Sequence, residues 1–507
     1  MNSYTAIQPI TQPIAALRQQ AKRHYGVHPY FTRRPYNVVR EYILRFSNER
    51  DCVLDPFGGS GVTAIEAFLE NRVAIHNDIN PLANFVAGGI AGLAAGPISS
   101  YKTALEHLKA VCQPQLTNIQ QANTAQLENI VRSVPVPNNI RLPATSDVDF
   151  YLDLFMPRQL VALAVLKARI DELPEVHGRQ GMLLAWSATL AKLNKTFLSA
   201  KGRAASRGGS SIFSIYRYKI AKEPVELPAW PTFEERARNV IDAKREIDQA
   251  INLKRSTGGW YGTFEAYQQD IEELSEKLAG QVDYIFTDPP YGGHISYLDL
   301  SVLWTNWLGL APSHEAREKE VIVGGELRHT EQEYITRLGN SVRACLRMLK
   351  NERWLSIVFQ HWNVAYFETI LSAAAESGAE LKAAVAQVGD PIWSMHKKKN
   401  KESVLAGEMI LTFHKSGARR RLESGNNFDL AGTISRVLRD ADSNAVYGEQ
   451  LFNQIVIEAW NKGAIDSLSI TKDEFTQVIE DLGWHYDTSH HYWLKGNQIP
   501  ISLFDGL

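Results

Sequence analysis

The chain has 507 residues, with 54 Lys and Arg against 56 Asp and Glu, for a formal net charge of −2. Hydrophobic residues make up 44% and charged residues 22%, ordinary globular usage that excludes disorder or a fibrous repeat for most of the length. That length predicts roughly two to four structural units. The near-neutral charge argues against a wholly basic nucleic-acid binder and leaves room for a local basic patch.

Cys52, Cys112 and Cys345 are far apart, with no CxxC pair, so neither a zinc ribbon nor a disulfide framework is supported. No signal peptide is visible, and no stretch approaches the about 18 apolar residues of a membrane span. The expectation is a soluble protein of a reducing compartment, cytoplasmic and, given the motifs below, nucleoid-associated.

The first elements are a basic, aromatic segment, residues 22–43, whose second half predicts a helix ending near Asn48. An apolar run at 52–55 leads into DPFGGSG (55–61), followed by a predicted helix over 61–71 and a strand over 73–78. Strand, glycine turn, helix and strand make one βαβ unit of a parallel sheet. Residues 82–200 read as helix-rich; 114–139 is polar and predicted exposed, 158–173 has apolar residues at helical spacing, and 230–251 reads as a helix with a charged face. VDYIFTDPPY (282–291) is a buried-type strand running into a loop. The capping-box spacing from Thr330 predicts a helix to about Leu349, then a strand over 354–359, a helix over 364–377 and strands over 381–388 and 407–414. A basic hinge near 419 precedes a small region expected to be helical, and no internal repeat is found.

In the glycine loop, residues without Cβ let the backbone approach a ligand closely, and the helix start behind them offers unpaired N–H groups. Asp78 lies 23 residues beyond Asp55, at the end of the next strand, where a carboxylate can accept both hydroxyls of a ribose. No Gly-Lys-Ser/Thr follows, which excludes a phosphate loop of the Walker type, and the loop departs from GxGxxG.

At Asp288-Pro289-Pro290-Tyr291 two prolines force the chain out of the sheet at its carboxyl edge, where open α/β sheets bind ligands. The loop presents a carboxylate, a free carbonyl and an aromatic ring. The Asp288 carboxylate and the Pro289 carbonyl can each accept one N–H of an exocyclic amine, freeing its lone pair to attack an electrophilic methyl group, while Tyr291 stacks on the base.

DPFGGSG together with DPPY, in α/β context, resembles the amino-group DNA methyltransferases that use S-adenosylmethionine, over roughly 25–90 and 280–415. The resemblance implies a Rossmann-like seven-stranded sheet with a terminal antiparallel hairpin. It implies that Asp55, Pro56, Phe57, Gly58, Gly59, Ser60 and Gly61 line the cofactor, Asp78 holds its ribose, and Thr32 packs beside it. HPYFTRRP (28–35) is similar to the family's HP…KP segment, with Arg34 where Lys is common and one extra residue of spacing. DINP (78–81) and FMPRQLVALAVL (155–166) look like one branch of bacterial adenine-specific methylases. The Asp at the head of DPPY favours adenine N6 over cytosine N4.

Asp288 follows Asp55 by 233 residues, far more than a βα unit or two requires, so an inserted target-recognition region is expected between the motifs. The boundaries predicted are 1–95 for the first half of the catalytic domain, 96–275 for the insertion, 276–418 for the second half and 419–507 for a small C-terminal domain. Residues 192–222 hold eight basic residues and no acidic one, interleaved with Phe213, Tyr216 and Tyr218. Lys195, Lys201, Arg203, Arg207, Arg217, Tyr218 and Lys219 are the candidate contacts to DNA, cations for phosphates and the ring for a base. A second basic run, 396–401, reads equally well as a solvated loop. The histidines of HYDTSHHYW (485–493) read as a packed or exposed cluster, and no metal site is expected.

The function expected is transfer of methyl from S-adenosylmethionine to adenine N6 in double-stranded DNA, with the base flipped out. Cytosine N4, RNA adenine and protein glutamine remain as alternative targets, and a nucleic-acid-binding module without catalysis as an alternative of another class. The resemblance admits a restriction or anti-phage defence partner; recognition sequence and oligomeric state are open.

Overall fold

The computed structural model describes residues 4–17, 22–199, 208–361, 363–387, 408–417, 429–440, 445–465, 472–487 and 492–495. Lys201, Arg203, Arg207, the 396–401 run, most of the basic hinge, His490 and His491 lie outside the described residues. The fold is α/β on a seven-stranded, mostly parallel sheet, with further helical regions. Its strands belong to two compact units: Leu17–Leu278 with Val282–Glu331, and Met1–Ala16 with Ala279–Gln281 and Gln332–Leu507.

The first unit begins with α1 (Tyr36–Phe46), which buries Tyr36, Val38, Val39, Tyr42, Ile43 and Phe46 at helical spacing. Strand β1 (Cys52–Asp55), helix α2 (Val62–Leu69) and strand β2 (Val73–Asn77) form the expected βαβ unit. Every residue of α2 is buried, and so is Glu70 just after it, so the two acids Glu66 and Glu70 need partners. Tyr25 donates to Glu66 at 2.7 Å, while Arg40 and Lys254 reach Glu70 at 2.7 and 2.5 Å. Helices α3 (Pro81–Gly92), α4 (Ile98–Gln121), α5 (Thr124–Val131), α6 (Pro157–Asp171) and α7 (Val176–Leu190) follow. Next come the short strands β3 (Phe197–Ser199) and β4 (Gly208–Ser210), α8 (Ser211–Ser214) and the long α9 (Ala229–Thr257). Strand β5 (Thr263–Tyr267), α10 (Ile271–Lys277), β6 (Val282–Thr287), α11 (Tyr297–Leu308) and α12 (His314–Glu318) complete the unit.

Two expectations are corrected here. Residues 114–139 are not simply exposed: Leu116, Ile119 and Leu127 are buried beneath polar neighbours. The segment 96–275 is not one insertion either. β5 pairs parallel with β2, Val73 opposite Thr263, and so belongs to the main sheet. The helices before it are part of the same compact unit as the glycine loop.

The order within this unit is β5-β2-β1-β6, all parallel. From β1 the chain winds outward through β2 to β5, then returns to the other side of β1 as β6. β1 and β6 are therefore neighbours at the point where the winding reverses, the place where open α/β sheets take their ligands. Both motif loops leave the carboxyl ends of these two strands.

The second unit holds α13 (Glu331–Met348), β7 (Leu349–Phe359), α14 (Val364–Glu376), β8 (Ala379–Gln387) and β9 (Glu408–Lys415). Here β9 pairs antiparallel with both β7 and β8, the terminal hairpin expected. Beyond it are α15 (Leu430–Asp440), β10 (Ala445–Tyr447), α16 (Gly448–Asn461), α17 (Lys472–Asp481), β11 (Trp484–Asp487) and β12 (Tyr492–Lys495). The last region is thus not purely helical. Its late aromatic residues pair as strands, in the order β10-β12-β11, with aromatic and polar residues alternating along β11.

Candidate active site

The glycine loop is shaped by contacts that admit no side chain. A Cβ on Gly58 would lie 2.1 Å from Nδ1 of His76, whose ring is fully buried on β2. Gly59 and Gly61 have φ of 50° and 85°, the left-handed region. The Gly58 N–H donates to the Asn77 carbonyl at 2.8 Å and the Gly61 N–H to the Gly58 carbonyl at 2.8 Å, which fixes the turn at the start of α2.

Asp55 is buried at the end of β1. It accepts from the Phe57 N–H at 3.1 Å and the Thr287 hydroxyl at 2.8 Å, so β1 and β6 are joined at their carboxyl ends. Burial pushes its carboxyl up to about 7, against the pull of those bonds. Asp78 follows β2 and accepts from the Gly59 N–H and the Asn80 N–H, each at 2.8 Å. Burial lifts it to about 6. Each of its oxygens has a second lone pair with which to accept a ligand hydroxyl.

These residues line one open cavity of about 990 Å³. Of the residues singled out in the sequence, Thr32, Asp55, Pro56, Phe57, Gly58, Gly59, Ser60, Asp78, Asp288 and Pro290 line it; Gly61, Pro289 and Tyr291 do not. A DNA methylase family model matches residues 10–83. The match takes in the HPYFTRRP segment, the glycine loop and Asp78, and makes that stretch similar to the DNA methylases of the N6/N4 class; DPPY lies outside it. No curated protein matches the chain.

Methylases of this class typically use S-adenosylmethionine, and the residues present fit it. The glycine turn leaves a cradle that a side chain would fill. Around the cavity stand Asp55, Asp78, Asp270, Asp288 and Glu320 against Arg33, Arg34 and Lys319. Burial raises Asp55, Asp78 and Glu320, and a ligand carrying a sulfonium and an ammonium would favour their charged forms. Asp78 would take the ribose hydroxyls, and the Phe57–Ser60 loop the methionine portion.

Asp270 and Glu320 were missed in the sequence. Asp270 caps α10, accepting from the Glu272 N–H at 2.9 Å, and burial raises its carboxyl. Its signal was present: it follows β5 as Asp78 follows β2. Glu320 follows α12, and nothing in the sequence around it marks it. It accepts from the Leu298 N–H at 3.3 Å, and burial, then the nearby Asp299, pushes it up to about 8.

At the other loop, Arg34 Nε donates to Asp288 Oδ2 at 2.5 Å and its Nη2 to the Tyr291 hydroxyl at 2.9 Å. The Tyr291 hydroxyl in turn donates to Asp288 Oδ1 at 2.5 Å. Arg33, one residue earlier, points to the glycine loop instead, donating to Ser60 Oγ at 3.2 Å and to the His28 carbonyl.

The described part of the basic segment is held by partners elsewhere in the chain. Tyr218 is a correction: its ring is buried, not available to a base. Its hydroxyl donates to the Leu300 carbonyl at 2.8 Å and accepts from the Leu303 N–H at 3.0 Å, entering the ladder of α11. Phe213 packs on Phe31 and Trp304. Arg217 is paired with Asp147, and Lys192 with Glu235 at 3.2 Å. Lys219 is exposed and Lys195 half-buried.

Among the described residues, no helix is long and apolar enough to cross a membrane, and no group of His, Cys, Asp and Glu is arranged to hold a metal ion.

Proposed function

We propose that the protein methylates the N6 amino group of adenine in DNA, using S-adenosylmethionine and a flipped-out base. The observation that carries this reading is the placement of the two loops. The glycine loop and DPPY leave neighbouring strands at one sheet edge, and Asp55 bonds across to Thr287 at their base. A cofactor held by the first loop thus faces an amine held by the second.

When bound, S-adenosylmethionine supplies an electrophilic methyl group. The chain's own task is to present the amine. Asp288 and the Pro289 carbonyl would each accept one N–H, withdrawing the nitrogen from conjugation and aiming its lone pair. Tyr291 would hold the ring by stacking. Positioning and fixed dipoles then provide the rate, with no covalent step on the protein. The choice of adenine over cytosine rests on the Asp that heads DPPY. Lys195 and Lys219 would bind phosphates, with Lys201, Arg203 and Arg207, and Arg217 would join them by exchanging Asp147 for a phosphate.

The test is incubation with methyl-labelled S-adenosylmethionine and mixed-sequence DNA. Label in DNA is expected with wild type. With Asp288→Ala a loss of about 100-fold or more is expected, the scale of removing a preorganised transition-state contact. Equal label from both proteins would sink the proposal.

A further inference from the structure

Asp288 faces the cavity with both carboxylate oxygens in use. Oδ2 takes Arg34 Nε, Oδ1 takes the Tyr291 hydroxyl, and that hydroxyl takes Arg34 Nη2. The three side chains close a ring of hydrogen bonds. The Arg34 guanidinium also lies 5.7 Å from the centroid of the Tyr291 ring, within cation–π range. Arg34 thus covers both groups on which the amino-methylation reading depends, the acceptor for the amine and the ring for the base.

The chemistry of the overlap is close. A guanidinium is planar, with N–H donors on conjugated nitrogen; so is the amino edge of an adenine. We propose that Arg34 stands in for the amino group of the target base and must be displaced before Asp288 accepts that group. The inference rests on the proposed amino-methylation. Its consequence is a check on the substrate. A base that offers two N–H donors and a stacking face replaces what Arg34 gives up; one that fits poorly leaves Asp288 with its resident partner. Discrimination then comes from an internal competitor as well as from contacts to the base. Arg34 lines the open cavity, and its side chain keeps a 14% exposed edge, which gives it a way out through that opening. Arg33 holds Ser60 while Arg34 holds Asp288. Arg34 can therefore swing out while the adjacent residue keeps the segment on the glycine loop.

The experiment uses the full chain in two arms. In the first, the protein is labelled with ¹⁵N-arginine, and the Arg34 Nε–H signal is assigned by its loss in Arg34→Lys. A downfield, slowly exchanging signal is expected in the free protein and with S-adenosylhomocysteine alone. Added sheared DNA from cells lacking adenine methylation should abolish it. In the second, genomic DNA methylated by wild type or Arg34→Met is sequenced for modified bases. The fraction of modified adenines outside the wild-type sequence preference should rise about tenfold, with a lower KM for DNA and a smaller change in kcat. A signal that persists in the DNA complex overturns the proposal. So does an Arg34→Met protein of unchanged sequence preference that loses only kcat, the behaviour of a fixed brace. If wild type transfers no methyl at all, the amino-methylation reading fails, and the first arm still reports whether nucleic acid displaces Arg34.

Discussion

The glycine loop at 55–61 and the basic segment at 192–222 stand out equally in the sequence, yet the structure treats them differently. The loop has the strand–turn–helix geometry its residues led one to expect. Its constraint lies within one βαβ unit: Gly59 and Gly61 at positive φ, a turn closed by backbone bonds, Asp55 ending β1 and Asp78 just past β2. The basic segment depends on partners far away in the chain. Asp147 and Glu235 answer two of its cations, and α11 receives the hydroxyl of Tyr218. A motif written in backbone geometry can be read from a sequence. A surface written in side chains waits for its neighbours.

The sharpest way to break that contrast is Tyr218→Ala. A base-stacking tyrosine would lose DNA affinity and keep its stability. A buried ring in the helix ladder should cost about 3–5 kcal/mol in denaturant unfolding. Tyr218→Phe should cost about 1–3 kcal/mol, since the Leu303 N–H loses its acceptor. Full stability with weakened DNA binding would restore the first reading.

Gly58→Ala probes the loop in the same way. The added methyl meets the buried His76 ring, and about 1–3 kcal/mol of stability should be lost, together with calorimetric binding of S-adenosylmethionine. Retained binding would show that the loop is only a turn.

Asp55→Asn tests the electrostatics beneath both loops. The folded carboxyl sits at about 7, above the ordinary 3.8. The folded state therefore holds a proton that the unfolded chain releases, and stability is lost as pH rises from about 4 through 7. The Asn variant should be more stable than wild type at pH 8, on the order of 1 kcal/mol, and not at pH 4. A gain independent of pH would contradict the buried-charge account.

The smallest expected effect belongs to Lys219→Ala. Stability should change by less than about 0.5 kcal/mol. DNA affinity should fall evenly across sequences, with the slope of log K against log salt reduced by about 1. An unchanged slope would remove Lys219 from the DNA surface.

Much of the sheet was legible because its strands announce themselves as apolar runs, two of which, at β1 and β6, run straight into an Asp-Pro turn. β5 escaped because TFEAY shows little burial, with only partial cover on Phe264 and Tyr267, and its companion Asp270 went with it. Glu320 escaped because its place in the cavity is created by the fold around Leu298 and α12. Arg34 was visible only as a departure from a familiar Lys. Its reach to Asp288 crosses 254 residues of chain, which no local pattern encodes.

The account turns on adenine N6 as the acceptor. Its most direct test is mass spectrometry of nucleosides from DNA incubated with the protein and S-adenosylmethionine. N6-methyladenine should appear with wild type and be absent with Asp288→Ala. N4-methylcytosine alone, or no methylated nucleoside at all, would contradict it.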